Sequence, residues 1–415
     1  MQILFVHQNF PGQYLHLVWA LAQQGQHRLI ALSIQTTQED LPANLQVFHY
    51  TLKRGNASEI HPLLMDLESK IIRAEACAEA ASRLKHQGFT PDLICAHPGW
   101  GESLYLKEIW PDTPILNYQE FFYNSTGFDS GFDPEFNRST AWEKDAEMIT
   151  KNTHLFLALE QADWNITPTQ FQQSSFPSRY HARFSVIHDG VDTRKAAPSE
   201  RRLELRLPDG CSLASGMPVV TFVNRSIEPH RGCHTFIRAL PALFRLIPEA
   251  QVVIIGDANG IGYGPRCTQG TWLDCFLKEI EGSYNPDNLH ICGYLSHEHY
   301  LALLKLSACH VYLTYPFVLS WSLLESMSCG CPVIGSATEP VMELIQDGNN
   351  GLLVDFFSPN DLASSMAEML KHPQRFIQMR RKARETIADH YSLEACLPRQ
   401  IALLGMVASG ALMKT

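Results

Sequence analysis

The run from His310 to Val354 constrains the fold most, because it reads as strand, loop, helix, strand, loop, helix, turn and strand in close succession. Val311 to Leu313 is a short apolar strand that ends at Tyr315-Pro316, where the proline has no N–H for a ladder. The loop Phe317 to Ser320 opens a helix that Ser320 or Ser322 can cap, and Gly330 closes it. Pro332-Val333-Ile334 begins the next strand, and the loop Ser336 to Pro340 leads into a second short helix, Val341 to Ile345. Two helix amino ends then face one sheet edge. Their orphan N–H groups and dipoles make that edge a seat for an anion, above all a diphosphate. Glu325 has two readings: a ligand contact, or a capping-box partner of Ser322.

These residues resemble the donor-binding segment of the family 4 (group 1) glycosyltransferases. That family usually carries two glutamates here, the second followed by Ala-Met-Ala-Cys-Gly-x-Pro-Val. Glu325-Ser326-Met327-Ser328-Cys329-Gly330-Cys331-Pro332-Val333 is similar to the second half of that pattern, and Asp347-Gly348-Asn349-Asn350-Gly351-Leu352-Leu353-Val354 to the family's Asp-Gly-x-x-Gly-Leu-Leu-Val. The resemblance implies an α/β, GT-B fold, with two Rossmann-like domains facing across a cleft. It also implies that Glu325 holds the ribose hydroxyls of a nucleotide. Phe317 stands where the first glutamate belongs, Glu339-Pro340 where the family has Gly-Gly, and Leu319-Ser320 where it has Phe-Gly. Glu339 is therefore a candidate for the missing carboxylate. The Ser320 amide and hydroxyl are candidates at the phosphate, with Phe317, Trp321 and Ser322 around the donor.

Composition removes other classes. A formal net charge of -10 argues against a dedicated nucleic-acid binder. The eleven cysteines show neither Cys-x-x-Cys nor a paired-histidine spacing, so no metal site is expected. The amino terminus passes directly from Met1 into an apolar strand without a basic leader, and no apolar run approaches the roughly 20 residues a membrane span needs. A cytoplasmic setting is expected, with membrane contact at most peripheral at the inner face.

The chain starts with a β-loop-helix-β pattern: strand Ile3 to Val6, loop His7 to Gln13, helix Tyr14 to Gln24, strand Leu29 to Leu32. Gly12 lets backbone approach a partner at the helix mouth, or simply makes a turn, and His7 and Asn9 share that loop. Pro91-Asp92-Leu93-Ile94-Cys95-Ala96-His97-Pro98-Gly99-Trp100-Gly101 reads as a strand running into a Gly- and Pro-rich loop with His97 at the strand's carboxyl end, and the strand Ile115 to Tyr118 delivers Gln119-Glu120. By resemblance His97 touches the donor sugar near its reacting carbon, while Gly12 faces the diphosphate. His7, Asn9, Trp100 and Glu120 are acceptor-side candidates, as is Glu102. The aperiodic segment Asn124 to Asn137 reads as a long loop, either an acceptor lid with sugar-stacking aromatics or surface decoration. One helix is expected over Ala141 to Gln161.

His188-Asp189-Gly190-Val191-Asp192 resembles the family's interdomain linker, which divides the chain into domains at 1–190 and 191–390, with 391–415 a helix crossing back to the first. The second domain opens with strand Val219 to Val223 and continues into Asn224-Arg225, then Arg231-Gly232. By resemblance Arg225 and Arg231 neutralise the diphosphate beside Asn224, and backbone groups at Tyr294 and Leu295 read the base. The loop Asn259 to Gly270, with four glycines, has no assigned task. Arg380, Arg381, Lys382 and Arg384 mark a basic helix, either solvated or facing a membrane.

The resemblance implies a glycosyltransferase that moves a sugar from a UDP- or GDP-sugar to a hydroxyl acceptor, with retention and without metal or other cofactor. The acceptor is a glycan, a lipid-linked molecule or a small molecule, in glycan, polysaccharide or glycoconjugate biosynthesis. The alternatives are a GT-B epimerase or hydrolase, or a catalytically silent partner subunit.

Overall fold

Both large sheets are parallel throughout, and both are wound in the same order. The computed structural model describes residues 1–36, 40–136, 141–260 and 262–413. It divides into two units: Met1–Ser130, Asn137–Gly190 and Leu393–Thr415 form one, and Gly131–Phe136 with Val191–Ser392 form the other.

The first unit holds β1 (Gln2–Val6), β2 (Arg28–Ser33), β3 (Leu45–His49), β4 (Leu93–Ala96), β5 (Ile115–Tyr118), β6 (Trp164–Thr167) and β7 (Phe184–Val186). Their order is β3-β2-β1-β4-β5-β6-β7, with Ile3 in register with both Leu29 and Leu93. This is a doubly wound sheet whose order reverses beside β1, so the loops after β1 and β4 sit at the switch point where such sheets bind ligands. Ile3, Leu4, Phe5 and Val6 are all fully buried, as a strand covered on both faces requires. Helix α1 (Leu15–Gln24) ends on Gly25 at φ 67, and α2 (Met65–His86) starts with Asp66 and Glu68 and ends with Arg83, Lys85 and His86, in accord with its dipole. The carboxyl-terminal helix Leu393–Ala408 buries Leu403, Leu404 and Val407 with Leu17 and Val18 in this unit's core.

The helix expected over Ala141 to Gln161 is two helices, Ala141–Lys151 and α3 (Thr153–Gln161). Asn152 lies at the break. Its side-chain oxygen accepts the Tyr123 N–H at 3.0 Å and its amide donates to the Tyr123 carbonyl at 2.6 Å, so it serves the backbone of a neighbouring segment.

In the second unit the strands are β8 (Val219–Ser226), β9 (Gln251–Asp257), β10 (Leu289–Ile291), β11 (Cys309–Tyr312), β12 (Val333–Ser336) and β13 (Leu352–Val354), ordered β10-β9-β8-β11-β12-β13. Val220 pairs with Val252 and Cys309, and Val311 with Ile334. Its helices include α4 (Cys233–Leu246), α5 (Trp272–Glu279), α6 (His297–Leu306), α7 (Trp321–Ser328) and α8 (Ile377–His390).

Residues 131–136, read from sequence as part of a lid or a decorated loop of the first domain, pack inside this second unit. Phe132 stacks on Phe357 at 5.1 Å and Phe136 lies edge-on to Trp272 at 5.2 Å. Asp133 accepts hydrogen bonds from Tyr315 at 2.8 Å and from His234 at 3.1 Å. These aromatics are committed to packing, which removes them as sugar-stacking groups. Asn137, the last residue of the expected loop, lies outside the described residues.

The basic helix α8 also resolves. Arg380 donates to the Gly330 carbonyl at 2.6 Å, and Arg384 to the carbonyls of Ala196, Ser328 and Thr193 at 2.7, 3.0 and 2.7 Å. Arg381 and Lys382 pair with Glu385. Two of the four cations thus turn inward, where they satisfy main-chain acceptors around the end of α7 and the leader before β8. Among the described residues no helix is long and apolar enough to cross a membrane.

Candidate functional site

In the first unit the loops after β1, β4 and β5 bring His7, Gln13, His97, Trp100 and Glu120 together. His7 and His97 are each only 3% and 2% exposed and use the same local device. The ring Nδ1 accepts a backbone N–H two residues on, from Asn9 at 3.0 Å and from Gly99 at 3.2 Å. That leaves the proton of the neutral ring on Nε2. His7 Nε2 donates to Gln13 Oε1 at 2.9 Å, and Gln13 in turn donates to Glu120 Oε1 at 3.4 Å. His97 Nε2 has no hydrogen-bond partner and lies 3.9 Å from Glu120 Oε2. Burial, followed by the neighbouring His7, pulls the His97 pKa well below its ordinary value, and burial brings His7 to about 4. Both are neutral donors at physiological pH.

Gly12 serves this arrangement sterically: at φ 50, a Cβ there would stand 2.4 Å from His7 Cε1, and a Cβ on Gly99 would stand 2.7 Å from His97 Cε1. Each imidazole rests on a glycine. The Asn9 side-chain oxygen accepts from Gln35 at 2.8 Å. Glu102 is a correction to the expected acceptor contacts. It is fully buried, accepts from Tyr50 at 3.1 Å, and burial raises its pKa to about 7, so it lies beneath the surface.

In the second unit, Arg231 is 7% exposed and its Nη1 donates to Thr314 Oγ1 and the Val318 carbonyl, both at 2.9 Å, and to Tyr312 Oη at 3.4 Å. Arg225 is exposed. Among the described residues neither arginine has a carboxylate within salt-bridge reach. The loops after β11 and β12 are bound together by hydroxyls: Thr314 N–H donates to Ser336 Oγ at 3.2 Å, and Thr338 Oγ1 donates to the Thr314 carbonyl at 3.2 Å. Buried Asn224 lies at the end of β8, beside Arg225.

Several expectations change here. Ser320 is the helix cap, accepting from the Ser322 N–H at 3.3 Å, but its own N–H donates to Tyr312 Oη at 2.7 Å and is not presented to a phosphate. Glu325 makes no capping box; its carboxylate accepts from His297 Nε2 at 2.8 Å and Tyr300 Oη at 2.9 Å, both on α6. Phe317, expected at the donor, is 2% exposed and sits beneath the Tyr263 ring, 4.7 Å away between centroids. Trp321 and Tyr294 are exposed, Tyr294 donating its hydroxyl to the Arg225 carbonyl at 3.2 Å; Leu295 is half-buried beside it. Glu339 is exposed at the start of its short helix.

Sequence reading missed Tyr312, His297, Tyr300, Glu228 and Tyr263. Tyr312 had a signal, because a tyrosine in a buried strand must find a partner for its hydroxyl. Asp133, Glu135 and His234 lie close enough to share a cation, but Glu135 is already bidentate on Arg238 at 2.8 and 2.8 Å, which makes this a charge-paired packing cluster.

Comparison with known proteins fits this geometry. Residues 25–196 match the profile of the Glycosyl transferase family 4 group, and residues 212–387 that of the Glycosyl transferases group 1. The D-inositol 3-phosphate glycosyltransferase of Mycolicibacterium vanbaalenii is 26% identical over 228 residues, 51% of this chain and 46% of that protein. The alpha-D-kanosaminyltransferase of Streptomyces kanamyceticus is 29% identical over 206 residues, 49% of each chain. The chain thus spans about half the length of the curated relatives it matches. Among solved structures, Anabaena HepE in complex with UDP-glucose superposes with a TM-score of 0.66 at 16% identity, covering 98% of this chain and 99% of HepE. Sucrose-phosphate synthase from Thermosynechococcus elongatus gives 0.69 at 17% identity, covering 99% and 100%. With two like-wound parallel α/β units and both halves matched, the chain belongs to the group 1 glycosyltransferases and has their GT-B fold.

Proposed function

We propose that this protein transfers a sugar from a nucleotide-sugar donor, a UDP- or GDP-sugar, to a hydroxyl acceptor, with retained anomeric configuration. The observation that carries the reading is the pair Arg225 and Arg231. Two guanidinium groups stand at the carboxyl edge of a parallel sheet with no carboxylate partner among the described residues, an arrangement suited to a dianion.

In this reading the bond between the anomeric carbon and the β-phosphate oxygen breaks while the acceptor oxygen attacks the same face. The acceptor's proton passes to the departing phosphate oxygen, giving a glycoside and a nucleoside diphosphate. Charge grows on the diphosphate as the bond lengthens. Preset guanidinium donors stabilise it without reorganising, which is the role a metal plays in other transferases. Glu325, held by His297 and Tyr300, faces the ribose, and the unpartnered His97 Nε2–H donates to the transferred sugar. The acceptor is a glycan, a lipid-linked molecule or a small molecule; with Arg380 and Arg384 turned inward, only Arg381 and Lys382 of the four cations on α8 remain for a lipid surface, and both pair with Glu385.

The test is a panel of nucleotide sugars scored by thermal stabilisation and nucleoside diphosphate release, with and without EDTA, and with Arg225→Ala as control. One donor that stabilises the wild type and not the variant supports the reading, and product NMR then reports the anomeric configuration. Release without any acceptor would point to a hydrolase, and no response to any donor would point to a silent subunit.

A further inference from the structure

The loop between β9 and α5 carries Tyr263 onto both candidate phosphate-binding arginines. The Arg225 Cζ lies 5.5 Å and the Arg231 Cζ 5.4 Å from the centroid of the Tyr263 ring. Phe317 packs against the ring at 4.7 Å and His230 at 5.6 Å. Arg225 has no other side-chain partner among the described residues, so this ring alone orders an otherwise exposed guanidinium.

Tyr263 is itself held from below. Glu228, 4% exposed, accepts the Tyr263 N–H at 3.0 Å and the Gly264 N–H at 2.9 Å. A Cβ on Gly262 would lie 2.0 Å from Glu228 Oε2, so a side chain there would push this carboxylate away from the turn. A buried acid, a glycine at close approach and an apolar floor at Phe317 thus converge on the placement of one ring.

A guanidinium over an aromatic face is held through its plane, while its N–H groups radiate from its edges and remain available to a second partner. We propose that Tyr263 is a positioning residue that presents Arg225 and Arg231 to a diphosphate, acting through its ring face and not its hydroxyl. The proposal rests on the diphosphate-site reading above. It also accounts for Phe317: a glutamate at that position would set its carboxylate against Arg231, whose Cζ lies 5.7 Å from the Phe317 ring, and remove the floor under Tyr263.

The experiment compares wild type, Tyr263→Phe, Tyr263→Leu and Arg225→Ala in the full-length chain, measuring the dissociation constants of UDP, GDP and inorganic pyrophosphate by calorimetry, with melting temperatures alongside. Tyr263→Phe is expected to bind within about twofold of wild type. Tyr263→Leu, similar in bulk but without a π face, is expected to bind about 5- to 30-fold more weakly. Adding Tyr263→Leu to Arg225→Ala should lose less than the two separate losses combined. If Tyr263→Leu does not fold, Gly262→Ala, which displaces the Glu228 carboxylate from the turn, should give the same weakening. Leucine binding as well as tyrosine, or better, overturns the proposal, as does phenylalanine binding as poorly as leucine. Loss of binding in Arg225→Ala with none in Tyr263→Leu defeats the proposal and leaves the site reading intact. A wild type that binds neither nucleotide but holds pyrophosphate defeats the nucleotide-sugar reading, while the leucine variant still decides the role of Tyr263.

Discussion

The imidazole of His97 lies along the indole of Trp100, with ring centroids 4.4 Å apart and planes 28° from parallel. Tyr118 also stacks with it, at 5.6 Å and 22°. Held by two rings, with Nδ1 bound by Gly99, the imidazole has one proton to offer, on Nε2. His97→Ala is expected to lower kcat/KM about 10- to 100-fold, the worth of one strong hydrogen bond to developing charge. Because burial keeps the ring neutral, the wild-type activity profile should show no His97 titration from the ordinary histidine value of about 6.5 upward. Steady-state kinetics across that range on both proteins checks this.

Arg231→Lys is expected to behave as a disruptive substitution. One nitrogen of the guanidinium reaches Thr314, Val318 and Tyr312, and its Cζ lies 5.4 Å from the Tyr263 ring centroid and 5.7 Å from that of Phe317. An ammonium keeps the charge but not the planar fork. Thermal or urea unfolding should show a loss of about 1–3 kcal/mol, together with weaker nucleoside diphosphate binding.

Stability should depend on pH through two opposing sets of groups. Burial pulls the pKa of His7, His154 and His188 from 6.5 to about 4, and that of His310 to about 3. In that window the unfolded chain binds protons the native protein refuses, so stability falls as pH drops from 6.5 toward 4, by at most about 1.4 kcal/mol per pH unit for each histidine. Glu102 works the other way. With its pKa raised from 4.5 to about 7, the native state keeps a proton the unfolded chain releases, and its contribution declines as pH rises through that window. Glu102→Gln should therefore stabilise the protein near about pH 8, by up to about 3 kcal/mol, with the gain vanishing near about pH 4.5. Denaturant unfolding of both proteins along a pH series reads the two slopes.

Thiol titration should separate the eleven cysteines sharply. Cys211, Cys267 and Cys275 are half-buried and the other eight are buried. Burial pushes Cys292 and Cys396 up to about 11 and Cys329 to about 12, which suppresses the reactive thiolate as well as its exposure. Up to three fast equivalents are expected in the native protein and eleven in denaturant. More than three fast equivalents would reveal opening of a sheet core.

The strand runs Ile3–Val6, Val219–Val223 and Val333–Ile334, the helix stops at Gly25 and Gly330, and the family motif around Glu325 were all legible in the sequence. Each depends on neighbours along the chain: buried parallel strands need continuous apolar residues, and a left-handed helix end favours glycine. The GT-B fold with its two sheets was implied by the resemblance that the motif carries, while the strand order is a property of the packed chain. What tertiary structure decided are the partners that lie far apart in sequence. Asn152 breaks a helix because Tyr123 meets it, and residues 131–136 join the second unit because Tyr315, His234 and Arg238 bind them. Glu325 turns to His297 and Tyr300 instead of capping its own helix, and Glu102 sinks beneath Tyr50 instead of flanking a ligand. Tyr263, in a glycine-rich loop without periodicity, has a place only because Glu228 fixes its turn and two arginines reach its ring. Periodicity reports which face of an element is buried, whereas a polar group's partner is set by whichever donor or acceptor the packed chain brings within about 3 Å of it.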